Sequence, residues 1–388
     1  MGKLPIYMDN HATTPLDPRV LEAMMPYLKE EFGNPASTDH PYGARAAEAV
    51  EHAREQVANA INAKPQEIVF TGGATEADNL AIQGVVDATS TEPPHIITCT
   101  TEHKSVLETC RSLEKRGCPV TYTPVDGYGV IDLNRLESSI TDRTALISVM
   151  FANNEIGTIA PVADIGKIAK KRGVLFHTDA AQAVGHVPVD VNAQGIDLMS
   201  ISAHKVYGPK GIGALYLRSH NPRVRPTPIL VGGGQERGLR PGTLNVPGIV
   251  GMGRALEIAS REMYQERETL GDWAREMRSA FESGLGAELN GHPTQRLAHN
   301  LNMYFKGVES KALIQSVNSQ LAISASSACT TDQVEPSHVI LALGFDLARA
   351  HCSVRFGLGR FSKHEDVEIA TEIITASIRR LSRIGTRC

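Results

Sequence analysis

The chain has 388 residues, 41% of them hydrophobic and 21% charged, so we expect an ordinary globular protein of two domains. The net charge of −4 comes without a block of like charges, and no apolar run reaches the roughly 18–20 residues that span a bilayer, so we exclude nucleic acid and membrane as main partners. The N-terminus lacks the apolar region of a signal peptide, and we expect a cytoplasmic protein, or an organellar one whose transit peptide has been removed.

The first part of the chain predicts a helix from Pro18 to near Gly33 and a second helix over 42–62. Strands and helices then alternate. The predicted strands are 67–70, 96–99, 120–123, 145–149, 174–178, 198–201 and 213–217, and the helices among the earlier ones are 75–88, 103–116, 132–139 and 161–172. The strands are continuous apolar runs, as expected where both faces of a sheet are covered. The alternation predicts a mostly parallel sheet between helices, with antiparallel pairing open for the last strands.

Residues 219–247, rich in Gly, Pro and Arg, predict a long functional loop, and a long helix follows over about 247–284. After it the pattern changes to that of a compact α+β unit. Its predicted elements are strand 298–305, helix 309–318, strand 320–324, helix 336–343, strand 351–355 and helix 364–382. We therefore predict a large domain over 15–260 and a smaller one formed by 1–14 and 261–388.

One lysine, Lys205, follows the apolar run 196–201 and precedes the turn residues Gly208 and Pro209. A lysine at the end of a buried strand is partly desolvated, which lowers its pKa and makes it suitable as a Schiff-base amine. Upstream, another apolar strand ends in Asp179, a carboxylate placed to pair with a protonated pyridine nitrogen. Taken alone, Lys205 has a simpler interpretation as a solvated charge in a loop.

Two further segments follow strands of the predicted sheet. Gly72 and Gly73 open a helix that continues with Ala74 and Thr75, and backbone N–H groups there, with the Thr75 hydroxyl, form an anion site. The spacing is not that of a dinucleotide-binding or Walker loop. His103 follows the next strand, where it is placed to stack on a flat ligand and to transfer protons. The alternatives are ordinary helix caps at both places.

Asn153 and Asn154 follow the strand that ends near Met150, so they reach the same edge of the sheet. An amide there can orient a substrate or cofactor oxygen, although a turn built by asparagine side chains is the competing interpretation. A phosphate cradle, a ring stacker, an anion for a ring nitrogen and an amine are thus all predicted at strand carboxyl ends. These groups match the needs of pyridoxal phosphate.

Several longer motifs occur in order along almost the whole chain. They are Asp9–Pro15, Thr71–Glu76, Asp179–Gln182, Ser202–Gly211, Gly232–Glu236, Arg240–Thr243, Ser327–Thr330 and Arg355–Arg360. On these motifs the chain resembles the cysteine desulfurases of the NifS/IscS group, within the class V aminotransferase superfamily. The resemblance implies an α/β fold like that of the fold-type I pyridoxal-phosphate transferases, with a mostly parallel central sheet in a large domain and a smaller α+β domain.

The resemblance also implies a role for each matching residue. Lys205 would bind the cofactor and move the substrate Cα proton, and His103 would stack on the ring and act in proton transfer. The remaining roles are a pyridinium partner (Asp179), a phenolic-oxygen partner (Gln182), phosphate ligands (Ala74, Thr75, Ser202, His204, and Thr243 from a second subunit) and substrate-carboxylate ligands (Asn154 and Arg355). No metal site is implied.

Cys329 lies in a stretch of small polar residues that is poor core material, and we predict a mobile loop over about 325–335. The resemblance implies that this cysteine accepts sulfur from L-cysteine as a persulfide. The other cysteines form no C-x-x-C pair, so the sequence gives little support for a zinc site or a redox pair. The sequence ends at Cys388, soon after the last predicted helix, which leaves open the scaffold docking that longer IscS-type members use.

We therefore predict conversion of L-cysteine to L-alanine by a homodimer that passes sulfur to an acceptor protein for iron–sulfur cluster or thio-cofactor biosynthesis. One alternative is an aminotransferase or Cβ-lyase, including a selenocysteine lyase, which would not need Cys329. Another is a non-catalytic dimer partner or sulfur carrier that keeps the fold. The sequence names neither the acceptor nor the preference between cysteine and selenocysteine.

Overall fold

The computed structural model of the chain describes residues 5–89, 92–325 and 336–384. Cys329, Cys388 and nearly all of the predicted loop 325–335 lie outside the described residues. The strands are β1 (Ile6–Tyr7), β2 (Ile68–Thr71), β3 (His95–Cys99), β4 (Val120–Thr123), β5 (Thr144–Ser148), β6 (Leu175–Asp179), β7 (Leu198–Ser202), β8 (Gly213–Leu217), β9 (Glu288–Leu289), β10 (Asn300–Tyr304), β11 (Leu321–Ala322), β12 (Ser324–Ala325) and β13 (Ser353–Gly357).

Helices separate most of these strands. They are α1 (Pro18–Lys29), α2 (Pro41–Asn59), α3 (Ala74–Asp87), α4 (Lys104–Lys115), α5 (Leu133–Ser138), α6 (Val162–Arg172), α7 (Val246–Leu285), α8 (Ser310–Val317), α9 (His338–Ala342), α10 (Leu347–His351) and α11 (His364–Ile384). Short polar side chains cap several of them: Asp17 accepts the backbone N–H of Arg19 at the start of α1, and Asn245 accepts that of Gly248 at the start of α7. No helix in the described parts of the chain combines the length and the apolar character that crossing a membrane requires.

The main sheet has seven strands in the order β2-β8-β7-β6-β5-β3-β4. The pairs from β7 to β4 are parallel, whereas β8 runs antiparallel to both β7 and β2. The expected mostly parallel α/β sheet is therefore confirmed, and the antiparallel strand lies where helices are missing between strands. β3, β7 and β8 are buried over their whole length, because helices cover both faces of this sheet.

A second sheet, β12-β13-β10-β9, is antiparallel throughout, and β1 pairs with β11 beside it. Hydrophobic clusters pack against the two larger sheets, and α7 contributes to one cluster at each sheet. Its first half, with Met252 and Leu256, packs into the cluster around the seven-stranded sheet, and its second half, with Met277 and Phe281, packs into the cluster around β10 and β13. The predicted boundary near 260 falls between these halves, and the division into two domains stays a prediction.

Candidate active site

The carboxyl end of the parallel strands opens into a cavity of about 800 Å³. β7 ends there in a 3-10 turn, and α3 begins there. Nine predicted site residues line the cavity: Ala74, Thr75, His103, Asn154, Asp179, Gln182, Ser202, His204 and Lys205. The convergence follows from topology, because parallel strands bring the residues that follow them to one edge of the sheet.

Lys205 ends the 3-10 turn Ala203–Lys205 that follows β7 without a break. Its Nζ donates hydrogen bonds to the backbone carbonyl oxygens of His11, at 2.6 Å, and Ala12, at 2.8 Å. Burial, reinforced by the positive charge of Arg355, lowers the pKa of Lys205 to about 8. The amine therefore has a substantial neutral population near physiological pH, as a nucleophile or a general base requires.

Asp179 is the last residue of β6 and is buried. Its Oδ1 accepts the backbone N–H of Ala181 at 2.9 Å. Burial raises the pKa of Asp179, while the nearby charges of His103 and Lys205 oppose that rise. A buried carboxylate of this kind is stabilised by a cationic partner, and a protonated ring nitrogen in the cavity would provide one.

The start of α3 supplies an anion site at the cavity wall. Gly73 precedes the helix with a φ of +152°, and no side chain caps the helix there. A Cβ built on Gly73 would meet nothing within 4 Å, so the backbone of this turn borders open space. Uncapped N–H groups at a helix N-terminus attract phosphate. With Asp179 and Lys205 on other walls of the same cavity, the residues present fit pyridoxal phosphate.

Gln182 and the segment before α1 close the side of the cavity behind Lys205. Gln182 Nε2 donates to the His11 carbonyl oxygen at 2.9 Å, and Gln182 Oε1 lies 2.9 Å from His11 Nδ1. His204 Nδ1 lies 3.1 Å from Thr13 Oγ1, and burial lowers the pKa of His204 to about 4. This ring is therefore neutral near pH 7 and acts there as a hydrogen-bonding group rather than as a charge.

Arg355, on β13, is buried beside the cavity rather than in its lining. Its Nη1 donates to the Asn154 carbonyl oxygen at 3.0 Å and its Nη2 to Asp9 Oδ1 at 2.9 Å. Its Nε has no hydrogen-bond partner in the described parts of the chain. Thr243 lies elsewhere, exposed on the loop before α7 and outside the lining of this chain's cavity. Its predicted role toward a second subunit stays a prediction.

Several residues around the site are not predicted by the sequence patterns. Asp9, His11 and Ala12 lie in the first of the motifs given above, but their contacts with Arg355 and Lys205 join positions far apart in the chain. Glu102 was also missed. It is buried, and its Oε1 accepts the Met150 backbone N–H at 2.6 Å. The available signal was a carboxylate that lies shortly after the buried strand β3, next to His103.

Glu155 is a second buried carboxylate, and it connects the site to α9. Ser337, the N-cap of α9, donates its Oγ proton to Glu155 Oε2 at 2.5 Å. Burial raises the pKa of Glu155 from 4.5 to about 7, against the opposing effects of Ser337 and Arg355. The folded state therefore favours the protonated carboxyl. Its stabilising contribution is present below pH 4.5 and is lost as the pH rises to about 7.

We expect Glu155→Gln to remove this pH dependence. As the pH rises from 4.5 to 7, the thermal midpoint of the wild type should fall relative to that of the variant. The corresponding loss in the free energy of unfolding is about 3 kcal/mol at most. Thermal unfolding of both proteins across that range measures the difference. Midpoint curves that stay parallel would show that Glu155 does not titrate in this window.

Comparison with known proteins shows which family has this arrangement. The family described as Aminotransferase class-V matches residues 6–369. A relative described as Cysteine desulfurase IscS from Rickettsia bellii (strain OSU 85-389) is 50% identical over 379 residues, which are 97% of this chain and 92% of the relative. The protein of the same description from Rickettsia conorii (strain ATCC VR-613 / Malish 7) is 50% identical over 383 residues, 98% of this chain and 93% of that one.

Solved structures agree with these relatives. A structure titled NIFS-LIKE PROTEIN is 37% identical, with a TM-score of 0.91 over 97% of this chain and 100% of that chain. Another, titled SspA in complex with cysteine, is also 37% identical, with a TM-score of 0.80 over 92% of this chain and 99% of that chain. The resemblance inferred from the motifs is confirmed at the level of family and fold. The chain belongs to the class-V aminotransferase family.

Proposed function

We propose that the chain is a pyridoxal-phosphate-dependent cysteine desulfurase. The observation that carries this proposal is the meeting of Lys205, Asp179 and the start of α3 at one cavity, in a chain about 50% identical over nearly its full length to relatives described as cysteine desulfurases. When bound, pyridoxal phosphate supplies the electron sink that stabilises negative charge at the substrate Cα. The residues of the chain supply binding, orientation and proton transfer.

Each residue has a task that its surroundings support. The uncapped start of α3, with Ala74 and Thr75, would bind the phosphate together with Ser202, His204 and Thr243 of the partner subunit. Asp179 would bind the ring nitrogen, and Gln182 would bind the phenolic oxygen. Lys205, whose pKa is lowered to about 8, would accept the Cα proton, and His103 would stack on the ring.

Substrate L-cysteine brings a carboxylate that needs a cationic ligand. Arg355 suits this task because its planar guanidinium can bind a carboxylate in a bidentate manner, and Asn154 lies next to it. The Cys329 thiolate then bonds to the substrate sulfur as the Cβ–S bond breaks. The balance is L-cysteine plus one thiol giving L-alanine plus one persulfide, with no other oxidant or reductant.

We also propose that the protein is a homodimer in the cytoplasm and that it transfers sulfur to an acceptor protein. The acceptor is a protein of iron–sulfur cluster or thio-cofactor biosynthesis, because the persulfide sulfur must pass to a second thiol or a cluster scaffold. The dimer is supported by the exposed loop 219–247, where Val231 is fully exposed and Leu230 is 44% exposed in the single chain.

Incubation of the purified holoenzyme with L-cysteine tests the function. We expect L-alanine in both the presence and absence of reductant, sulfide only with reductant, and a gain of one sulfur atom on the peptide that contains Cys329. Cys329→Ala should lose the persulfide and most of the alanine formation, while Cys118→Ala, a matched change at a buried thiol, should behave as the wild type. Alanine formation that survives Cys329→Ala would indicate a Cβ-lyase, and a protein without cofactor absorbance would indicate a non-catalytic partner.

A further inference from the structure

His103 is held on one side by the beginning of its own helix. It is the N-cap of α4, and its Nδ1 accepts the backbone N–H of Ser105 at 3.1 Å. The Ser105 Oγ lies 2.8 Å from the same nitrogen. A backbone N–H is always a donor, so Nδ1 must present a lone pair to it. In the neutral ring the proton then sits on Nε2.

The chain of contacts continues into the protein interior. Ser105 Oγ and Asp78 Oδ2 are 2.6 Å apart, and Asp78, on α3, is fully buried. The other oxygen, Asp78 Oδ1, lies 3.6 Å from His177 Nε2. Asp78, Ser105 and His103 thus form a continuous line from the core to the cavity.

The Ser105 hydroxyl has one proton and two neighbours, His103 Nδ1 at 2.8 Å and Asp78 Oδ2 at 2.6 Å. It donates to Asp78 while that carboxyl is ionised. When Asp78 is protonated, the carboxyl donates to Ser105 Oγ, and the hydroxyl donates to His103 Nδ1. Burial and the nearby Asp179 raise the pKa of Asp78, which favours the protonated carboxyl and therefore the second arrangement.

Other groups around the His103 ring act in both directions. Burial lowers its pKa, Asp179 raises it, and Lys205 and Lys104 lower it. Glu102 precedes His103 in the chain, and His338 Nε2 donates to the Glu102 carbonyl oxygen at 3.0 Å. Because these charges partly offset each other, the direct hydrogen bonds at Nδ1 decide which ring nitrogen carries the proton.

We propose that Ser105 and Asp78 are positioning residues that hold His103 as the tautomer protonated at Nε2. This inference deepens the proposed function, on which it rests, by dividing proton handling between two residues. His103 presents an N–H to the ligands in the cavity as a hydrogen-bond donor. Lys205 is then the group that accepts the Cα proton, because the available His103 lone pair faces Ser105.

Nitrogen-15 NMR of the holoenzyme labelled on histidine tests the proposal, with the His103 signals assigned by their loss in His103→Asn. In the wild type we expect a protonated Nε2 and an unprotonated Nδ1 across about pH 6–8. Ser105→Ala removes the hydroxyl from Nδ1 but keeps the backbone N–H of residue 105, so the His103 pKa should rise and a minor Nδ1-protonated population should appear beside the Nε2-protonated one. Asp78→Asn should keep the wild-type signals, because its amide N–H donates to Ser105 as the protonated carboxyl does, whereas Asp78→Ala should not.

We expect Ser105→Ala to lower kcat about tenfold. This loss is smaller than the roughly 10²–10⁴-fold contribution of a positioned proton-transfer group, because His103 itself stays in place. Ser112→Ala, an exposed serine on the same helix, is the control and should change neither signal nor rate. A wild-type His103 protonated at Nδ1, or a Ser105→Ala spectrum identical to the wild type, would overturn the inference. The tautomer is measured without turnover, so a protein that shows it but makes no alanine would refute the proposed function and not this arrangement.

Discussion

Replacing Lys205 with alanine is expected to lower the rate of L-alanine formation by at least about 10⁴-fold. Lys205 Nζ is placed by two backbone carbonyl oxygens, at 2.6 and 2.8 Å, and the lowered pKa of about 8 makes its neutral form available. In the described part of the chain, no other lysine than Lys205 and Lys210 lines the cavity. Alanine produced from L-cysteine, measured by amino-acid analysis, gives the rate.

Lys205→Arg separates charge from reactivity. Arginine keeps the positive charge beside the His11 and Ala12 carbonyl groups, but a guanidinium is not deprotonated in proteins and cannot act as nucleophile or base. We therefore expect this variant to be as inactive as Lys205→Ala while folding normally. Lys167→Ala, on the exposed face of α6, is the matched control and should keep full activity. Activity retained by Lys205→Arg would mean that the cation alone is sufficient.

The strand ends of the sheet were the predictable part of the site. Asp179, Ser202 and Lys205 were placed correctly at the cavity because each follows an apolar run that can only be an interior strand, and parallel strands share one carboxyl edge. Most helix and strand limits agree with the structure within two or three residues for the same reason. The predicted strand 320–324 is the main exception, since it divides into β11 and β12, which pair in different sheets.

The contacts that complete the site were not predictable from local patterns. Asp9 reaches Arg355 across 346 positions, and Lys205 reaches the carbonyl group of His11 across 194. Nothing in the neighbourhood of either residue specifies its partner, because the pairing depends on how β1 and its following turn lie against β13. The burial of Asp78 was also not predictable, because a single acidic residue on a helix is usually solvent-exposed. Only the packing of α3 buries it.

A buried ion pair fixes the loop 219–247 to the main sheet. Arg54, on α2, donates from Nη1 and Nη2 to the two carboxylate oxygens of Glu236, each at 2.8 Å, and Glu236 Oε2 also accepts the Phe70 backbone N–H at 2.7 Å. Both charged side chains are nearly inaccessible to solvent. The pair therefore connects the loop that carries Thr243 to β2, the strand that leads into the start of α3.

The loop needs such an anchor because its backbone is strained. Glu236 and Arg237 have φ values of +46° and +58°, in the left-handed region that side chains with a Cβ rarely adopt. Each such residue costs about 1–2 kcal/mol. The bidentate pair and the hydrogen bond from Arg237 Nη2 to the Ile68 carbonyl oxygen, at 2.8 Å, hold this conformation against the strain.

We expect Glu236→Leu or Arg54→Met alone to destabilise the protein by about 3–5 kcal/mol, because each substitution leaves the charge of the other residue buried and unpaired. The double variant should lose much less than the sum, since it buries no charge. Arg237→Gly is the matched control: it relieves the strained φ while removing one hydrogen bond, so its effect should be small. The thermal midpoint measures stability, and limited proteolysis within 219–247 reports release of the loop. Losses that simply add in the double variant would show that Arg54 and Glu236 act independently, and an uncleaved loop in the single variants would show that the pair does not anchor it.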